Sequence, residues 1–158
     1  MEKRADTRTG GASRREFIQA SAAAASAAVL GSGSPLVFAA ESGRVRAGLI
    51  GCGDRGTSAA HNCLQSSPHV ELVAMGDVFQ DRLDRSFTEL NNKWPADRRK
   101  VTPETCCVGF DAYKKVIAAD VDLVLLTTPP HFRPEHLTAA VEAGNHVFME
   151  KPAAVDPL

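Results

Sequence analysis

From Val45 onward, short apolar runs alternate with stretches whose apolar residues recur every three or four positions. Val45 to Ile50 reads as a first strand ending at Gly51, and residues 55–66 carry Ala59, Ala60, Cys63 and Leu64 at helical spacing before Ser67-Pro68. Val70 to Met75 alternates into a second strand closed by Gly76-Asp77. A helix follows from Gln80 to Lys93 with Leu83, Phe87 and Leu90 on one stripe. Trp94 to Thr105 holds two prolines and the cluster Arg98-Arg99-Lys100, which predicts a connecting loop. Cys106–Val108 predicts a short third strand, and Asp111–Ala119 a helix with Tyr113, Val116 and Ile117 facing in. Val121–Thr127 is nearly all apolar, as a parallel strand buried on both faces requires. Glu135–Ala143 predicts a helix, with Pro134 near its first turn and Gly144 placed for a left-handed cap, before a fifth strand at His146–Met149. Strand and helix in strict alternation predict an α/β fold, a doubly wound parallel sheet of the Rossmann-like kind.

The first forty residues have a different pattern. Ser13-Arg14-Arg15-Glu16-Phe17 precedes 24 uncharged residues, Phe17 to Ala40, rich in Ala, Ser and Gly. Alanine inserts weakly, and Gly31, Gly33 and Pro35 break a helix, so a membrane span is a poor reading. Paired arginines, a weakly apolar middle and small residues at Ala39-Ala40 instead fit a twin-arginine export signal. Residues 1–40 are therefore expected to be a signal peptide and 41–158 the folded domain. The mature protein is then expected in the periplasm, off the membrane, exported already folded and often with its cofactor.

Composition narrows the class of partner. The chain is 44% apolar and 23% charged with a formal charge of −1, and the acidic excess falls after residue 40. A mildly acidic globular part argues against nucleic acid as a partner. Cys52, Cys63, Cys106 and Cys107 lack CxxC spacing, and adjacent Cys106 and Cys107 must face opposite sides of a strand. Neither a zinc site nor a disulfide framework is indicated. His131 to Glu135-His136 is one residue too long for H-x-x-E-H, so no metal is assigned.

Gly51-Cys52-Gly53-Asp54-Arg55-Gly56 fits G-x-G-x-x-G between a predicted strand and a predicted helix, and Asp77 ends the next strand. In that context the pattern points to a dinucleotide. Gly51 makes the turn, Gly53 lets backbone approach a pyrophosphate, and Gly56 lets the helix lie close to the strand. Amides at the helix start then face the phosphate charge. Asp77 can accept hydrogen bonds from the adenosine ribose, or else cap the next helix. Thr57 stands where a Walker A loop needs Lys, and Leu49-Ile50 stand where methyltransferases usually carry an acid. The strand-end acid favours NAD, while Arg82 and Arg85, one turn further on, leave NADP open.

Thr127-Thr128-Pro129-Pro130-His131 and Ala143-Gly144-Asn145-His146-Val147-Phe148-Met149-Glu150-Lys151-Pro152, together with the glycine turn, resemble the N-terminal domain of the Gfo/Idh/MocA oxidoreductases. The likeness runs from about Arg44 to Leu158, with Asn145 where Lys is commoner. It implies that Lys151 sits beside the nicotinamide and the reacting hydroxyl as the catalytic residue, next to Glu150. It also implies that Thr128, Pro129 and His131 line the dinucleotide crevice, although His131 comes one position early. From the residues alone, Lys151 reads equally well as a surface lysine paired with Glu150, and His131 as a loop histidine. The implied substrate is a sugar or polyol. Family members carry a second α/β domain with a D-x-x-x-H pair, through which they can form homo-oligomers. This chain stops at Asp156-Pro157-Leu158, where that domain would begin. The expectation is thus a cofactor-binding domain truncated before its substrate domain. An oxidoreductase, a dinucleotide-binding module without turnover and an NAD-dependent glycoside hydrolase all remain open.

Overall fold

The computed structural model describes residues 43–156. The expected signal peptide lies outside the described residues. Five strands, β1 (Val45–Ile50), β2 (Val70–Asp77), β3 (Cys106–Val108), β4 (Leu123–Leu126) and β5 (His146–Met149), form one sheet in the order β3-β2-β1-β4-β5. Every pairing is parallel. Four helices connect them: α1 (Asp54–Ser66), α2 (Gln80–Lys93), α3 (Ala112–Ile117) and α4 (Arg133–Glu142). The architecture is the Rossmann-like one expected from the alternation.

Two apolar layers sandwich the sheet. Ala47, Leu49, Leu72, Met75 and Leu125 pack with Ala60 and Leu64 of α1 and Leu83 and Leu90 of α2. Ile50, Val73, Ala74, Val124 and Leu126 pack with Tyr113 and Val116 of α3 and Ala140 of α4. Burial on both faces explains why β4 reads as an unbroken apolar run. Strand β2 departs from the simple alternation expected of it. A bulge opposite Ala47 and Gly48 pairs Ala47 with Leu72 but Gly48 with Ala74. The extra residue switches parity, so Leu72 and Met75 share one face while Val73 and Ala74 share the other. Cys106 and Cys107 do take opposite faces of β3. All four cysteines are free thiols.

The segment expected to be plain loop is more built than that. It contains a 3-10 turn at Pro103–Thr105, and Arg99 bridges Leu72 in parallel, extending the edge beside β2. Arg98 closes the end of α1: its Nε donates to the Val70 carbonyl at 2.8 Å, and its Nη2 to the Leu64 and Ser67 carbonyls at 2.5 and 2.6 Å. Its guanidinium also lies over the Trp94 ring. One arginine thus satisfies carbonyls that the helix end leaves without partners. Helix α4 begins at Arg133, two residues before the expected start, with Pro134 tolerated in its first turn. It ends as expected: Gly144 adopts φ +81°, and the amides of Gly144 and Asn145 donate back to Val141 and Ala140. Among the described residues, no helix is long and apolar enough to cross a membrane.

Candidate functional site

The carboxyl ends of β1, β2 and β4 open onto a cavity of about 360 Å³, bounded by the glycine turn, Asp77 and the loops after β3 and β4. This is the place where open parallel sheets take ligands. The turn is assembled from main-chain bonds. Gly51 stands at φ +99°, a conformation that side chains disfavour, and its amide donates to the Gly76 carbonyl at 2.8 Å. Thr127 holds the other side: its amide donates to the Ile50 carbonyl, and its hydroxyl lies 2.7 Å from the Gly51 carbonyl oxygen. A Cβ on Gly56 would stand 1.8 Å from the Gly51 carbonyl oxygen, so α1 can lie this close to β1 only with glycine there.

Gly53 differs from Gly56. Its backbone is extended, and a Cβ built on it would meet nothing within 4 Å, because it faces open space. Gly53 is also the N-cap of α1 and supplies no side-chain cap; the first main-chain bond of the helix runs from the Thr57 amide to the Gly53 carbonyl at 2.9 Å. An uncapped helix start carrying amide donors beside an open glycine suits an anion such as a pyrophosphate. The residues fit the dinucleotide that the motif implies.

Asp77 is buried, and its carboxylate organises the turn. Oδ2 accepts from the Cys52 amide at 2.6 Å and Oδ1 from the Phe79 amide at 2.9 Å, ahead of α2. The N-cap of α2 is Phe79, so Asp77 holds the turn ahead of the helix rather than capping it, and each of its carboxylate oxygens keeps a second lone pair. Cys52 itself is buried, and burial, reinforced by the Asp77 charge, pushes its thiol well above the usual range. It is a packed side chain with a useful amide and no nucleophile. Asp54 turns outward and pairs with Arg85 at 2.8 Å, which draws that arginine away from the cavity. Arg82 lines the cavity with its guanidinium 4.9 Å from the Phe79 ring centre.

At the β4 end, Thr128 and Pro129 line the cavity as the motif implies. His131 does not: it is exposed and packs edge-on against Phe132, outside the lining. The histidine that faces the cavity is His136, one turn into α4. Its Nδ1 lies 3.3 Å from the Thr128 hydroxyl, and its ring stacks on Tyr113 at 4.1 Å, while the Tyr113 hydroxyl donates to Glu135 at 2.7 Å. Burial holds the His136 imidazole below its ordinary value, so it is neutral at physiological pH. Arg133 is the other residue the sequence left unremarked. Arg133, His136 and Ala140 are all buried, at the spacing of one helix face. That stripe could have been read from the chain, but polar types at its first two positions disguised it.

Glu150 and Lys151 follow β5. The Glu150 carboxylate pairs with Arg55 of α1, which holds its carboxyl below the usual carboxylate pKa, so it is not the partner of Lys151. Lys151 is exposed and lies outside the cavity lining. Among the described residues, no group of three His, Cys, Asp or Glu gathers as metal ligands.

Fold and glycine turn together define a dinucleotide-binding α/β domain. Comparison with known proteins makes the class specific: residues 45–157 match the Gfo/Idh/MocA model, described as an oxidoreductase family with an NAD-binding Rossmann fold. The chain belongs to that family, and this is its NAD-binding domain. It is 33% identical over 112 residues to inositol 2-dehydrogenase 4 of Saccharopolyspora erythraea, covering 71% of this chain and 29% of that protein. A glycosyl hydrolase family 109 protein of Streptomyces coelicolor is 30% identical over 113 residues, covering 71% and 23%. Among solved structures, scyllo-inositol dehydrogenase from Lactobacillus casei with bound NAD(H) and scyllo-inositol superposes with a TM-score of 0.56 at 27% identity. That match covers 72% of this chain and 29% of the other. The chain spans under a third of the length of the relatives it matches.

Proposed function

We propose that this chain provides the cofactor site of an NAD-dependent oxidoreductase acting on a sugar or polyol hydroxyl. The observation that carries the proposal is the uncapped start of α1 beside the open face of Gly53, with the Asp77 carboxylate at the rim of the same cavity. Amides at the start of α1, from Gly53 to Gly56, would hold the pyrophosphate, Asp77 the adenosine ribose, and Thr128 and Pro129 the wall of the far half. When bound, NAD supplies hydride exchange at its nicotinamide ring. Lys151 would donate a hydrogen bond to the reacting oxygen or the nicotinamide ribose. The likeness to a family 109 glycosyl hydrolase favours a second reading, in which the same site serves glycoside cleavage. Assays of the full chain against polyols and against aryl glycosides separate the two.

Calorimetric titration of the full chain with NAD and NADP tests the cofactor site, and a folded chain that binds neither overturns it. Asp77→Ala is expected to weaken NAD more than NADP, because the carboxylate favours ribose hydroxyls and repels a 2′-phosphate. It also removes two charge-assisted bonds to main-chain amides, of which the buried one to Cys52 is worth roughly 1.5–3 kcal/mol, so its melting temperature falls as well. Equal weakening of both nucleotides would make Asp77 an organiser of the turn alone.

We also propose export through Arg14 and Arg15, which lie outside the described residues. Conversion of both to Lys keeps the charge and is expected to retain the folded protein in the cytoplasm. Periplasmic accumulation of that double variant would refute the route.

A further inference from the structure

Arg133 is 6% exposed, yet no carboxylate among the described residues pairs with it. A buried guanidinium without an acid is costly unless its donors are well used. Here they are spent on three carbonyls from two different loops. Nε donates to the Thr128 carbonyl at 2.6 Å, at the end of β4. Nη1 donates to the Glu150 carbonyl at 2.7 Å and also to the Pro152 carbonyl. Those are the carbonyls of the residues before and after Lys151. The sheet's own hold on this segment ends with the Glu150 amide, which donates to the Leu126 carbonyl at 3.0 Å. Beyond it, among the described residues, Arg133 supplies the hydrogen bonds to main chain around Lys151, beside the ion pair of Glu150 with Arg55.

We propose that Arg133 is a positioning residue. It locks the backbone around Lys151 to the Thr128 wall of the crevice, so that the lysine, whose side chain has no bonding partner among the described residues, starts from one fixed place. Arginine suits the task because its planar fork can hold carbonyls from two loops at once, whereas a lysine ammonium is a single point on a flexible stem. The sequence carries no mark of the arrangement, since carbonyl acceptors have no side-chain signature. The inference rests on the reading that Lys151 meets the nicotinamide half of NAD, and its test is built to separate the two.

The test compares NAD with ADP, which keeps the adenosine and pyrophosphate but lacks the nicotinamide and its ribose. In the full chain, Lys151→Ala is expected to weaken NAD while leaving ADP within about twofold of the parent. If Lys151→Ala changes neither ligand, the placement of Lys151 at the nicotinamide half is wrong, whatever Arg133 does. With that control in hand, Arg133→Lys is expected to weaken NAD by about tenfold and to spare ADP. The double variant Arg133→Lys/Lys151→Ala should bind NAD no more weakly than Lys151→Ala alone, because Arg133 acts through the lysine. Additive losses in the double variant, or parallel loss of both ligands in Arg133→Lys, would show a purely structural arginine and overturn the proposal. Arg133→Met removes all the donors and should give a larger NAD-selective loss. If it fails to fold, the cycle built on the milder Arg133→Lys decides the matter.

Discussion

Gly56→Ala is expected to destabilise the domain severely, although it adds one methyl group. That methyl would sit 1.8 Å from the Gly51 carbonyl oxygen and 2.7 Å from the Thr127 hydroxyl. Neither can yield cheaply. The Gly51 carbonyl belongs to the turn itself, and the Thr127 hydroxyl is already bonded to it. Relief requires α1 to lift from the end of β1, which opens the layer where Ala60 and Leu64 pack on Ala47 and Leu49. Overpacking commonly costs about 1–3 kcal/mol, and a clash with main chain falls at or beyond the upper end. Against the stability of an ordinary domain, roughly 5–15 kcal/mol, that is a large fraction. Thermal denaturation followed by circular dichroism would check it. A variant that melts with the parent would mean that α1 has slack the packing does not show.

The neighbouring glycine should behave in the opposite way. Gly53→Val is expected to fold and melt within a few degrees of the parent, because its backbone is extended and no atom lies within 4 Å of the added Cβ. Its loss should be in binding. The valine would fill the space beside the uncapped helix start, where a pyrophosphate must come against the amides. NAD affinity should fall by at least about tenfold, or roughly 1.4 kcal/mol. Calorimetric titration of the folded variant measures this directly, and unchanged affinity would remove the glycine turn from the cofactor site. On these expectations, two glycines three positions apart would separate folding from binding within one motif.

The contrast between them was legible in the chain because G-x-G-x-x-G has a mechanical reason at each position. The strands were legible for a similar reason: β4 is apolar on both faces, and a parallel sheet leaves it no polar side. What the sequence concealed depended on partners far away in the chain. The bulge in β2 came from its pairing with β1, so Val73 and Ala74 share a face that alternation denies them. Arg98 read as part of a basic loop, yet it is tied to carbonyls around the end of α1. At the site, the motif drew attention to His131, whereas the helical phase of α4 turns Arg133 and His136 inward. A charged residue reads as solvent-facing until its acceptors are known, and main-chain acceptors are invisible to side-chain pattern.

The central place of β1 carries a kinetic consequence. Val45 pairs with Val70 on one side, whereas Ala47 pairs with Leu123 on the other. The second pairing closes a span about three times longer, at an entropic cost greater by roughly 1 kcal/mol, and no ladder in this sheet is local. Chains dominated by such distant pairings fold slowly, with mixed α/β domains between helical bundles and all-β barrels. During synthesis, β1 must wait for about three quarters of the described residues to leave the ribosome before its second neighbour exists. Until Leu126 has emerged, Ala47 and Leu49 have half of their sheet, and that half-built edge is what a chaperone would meet.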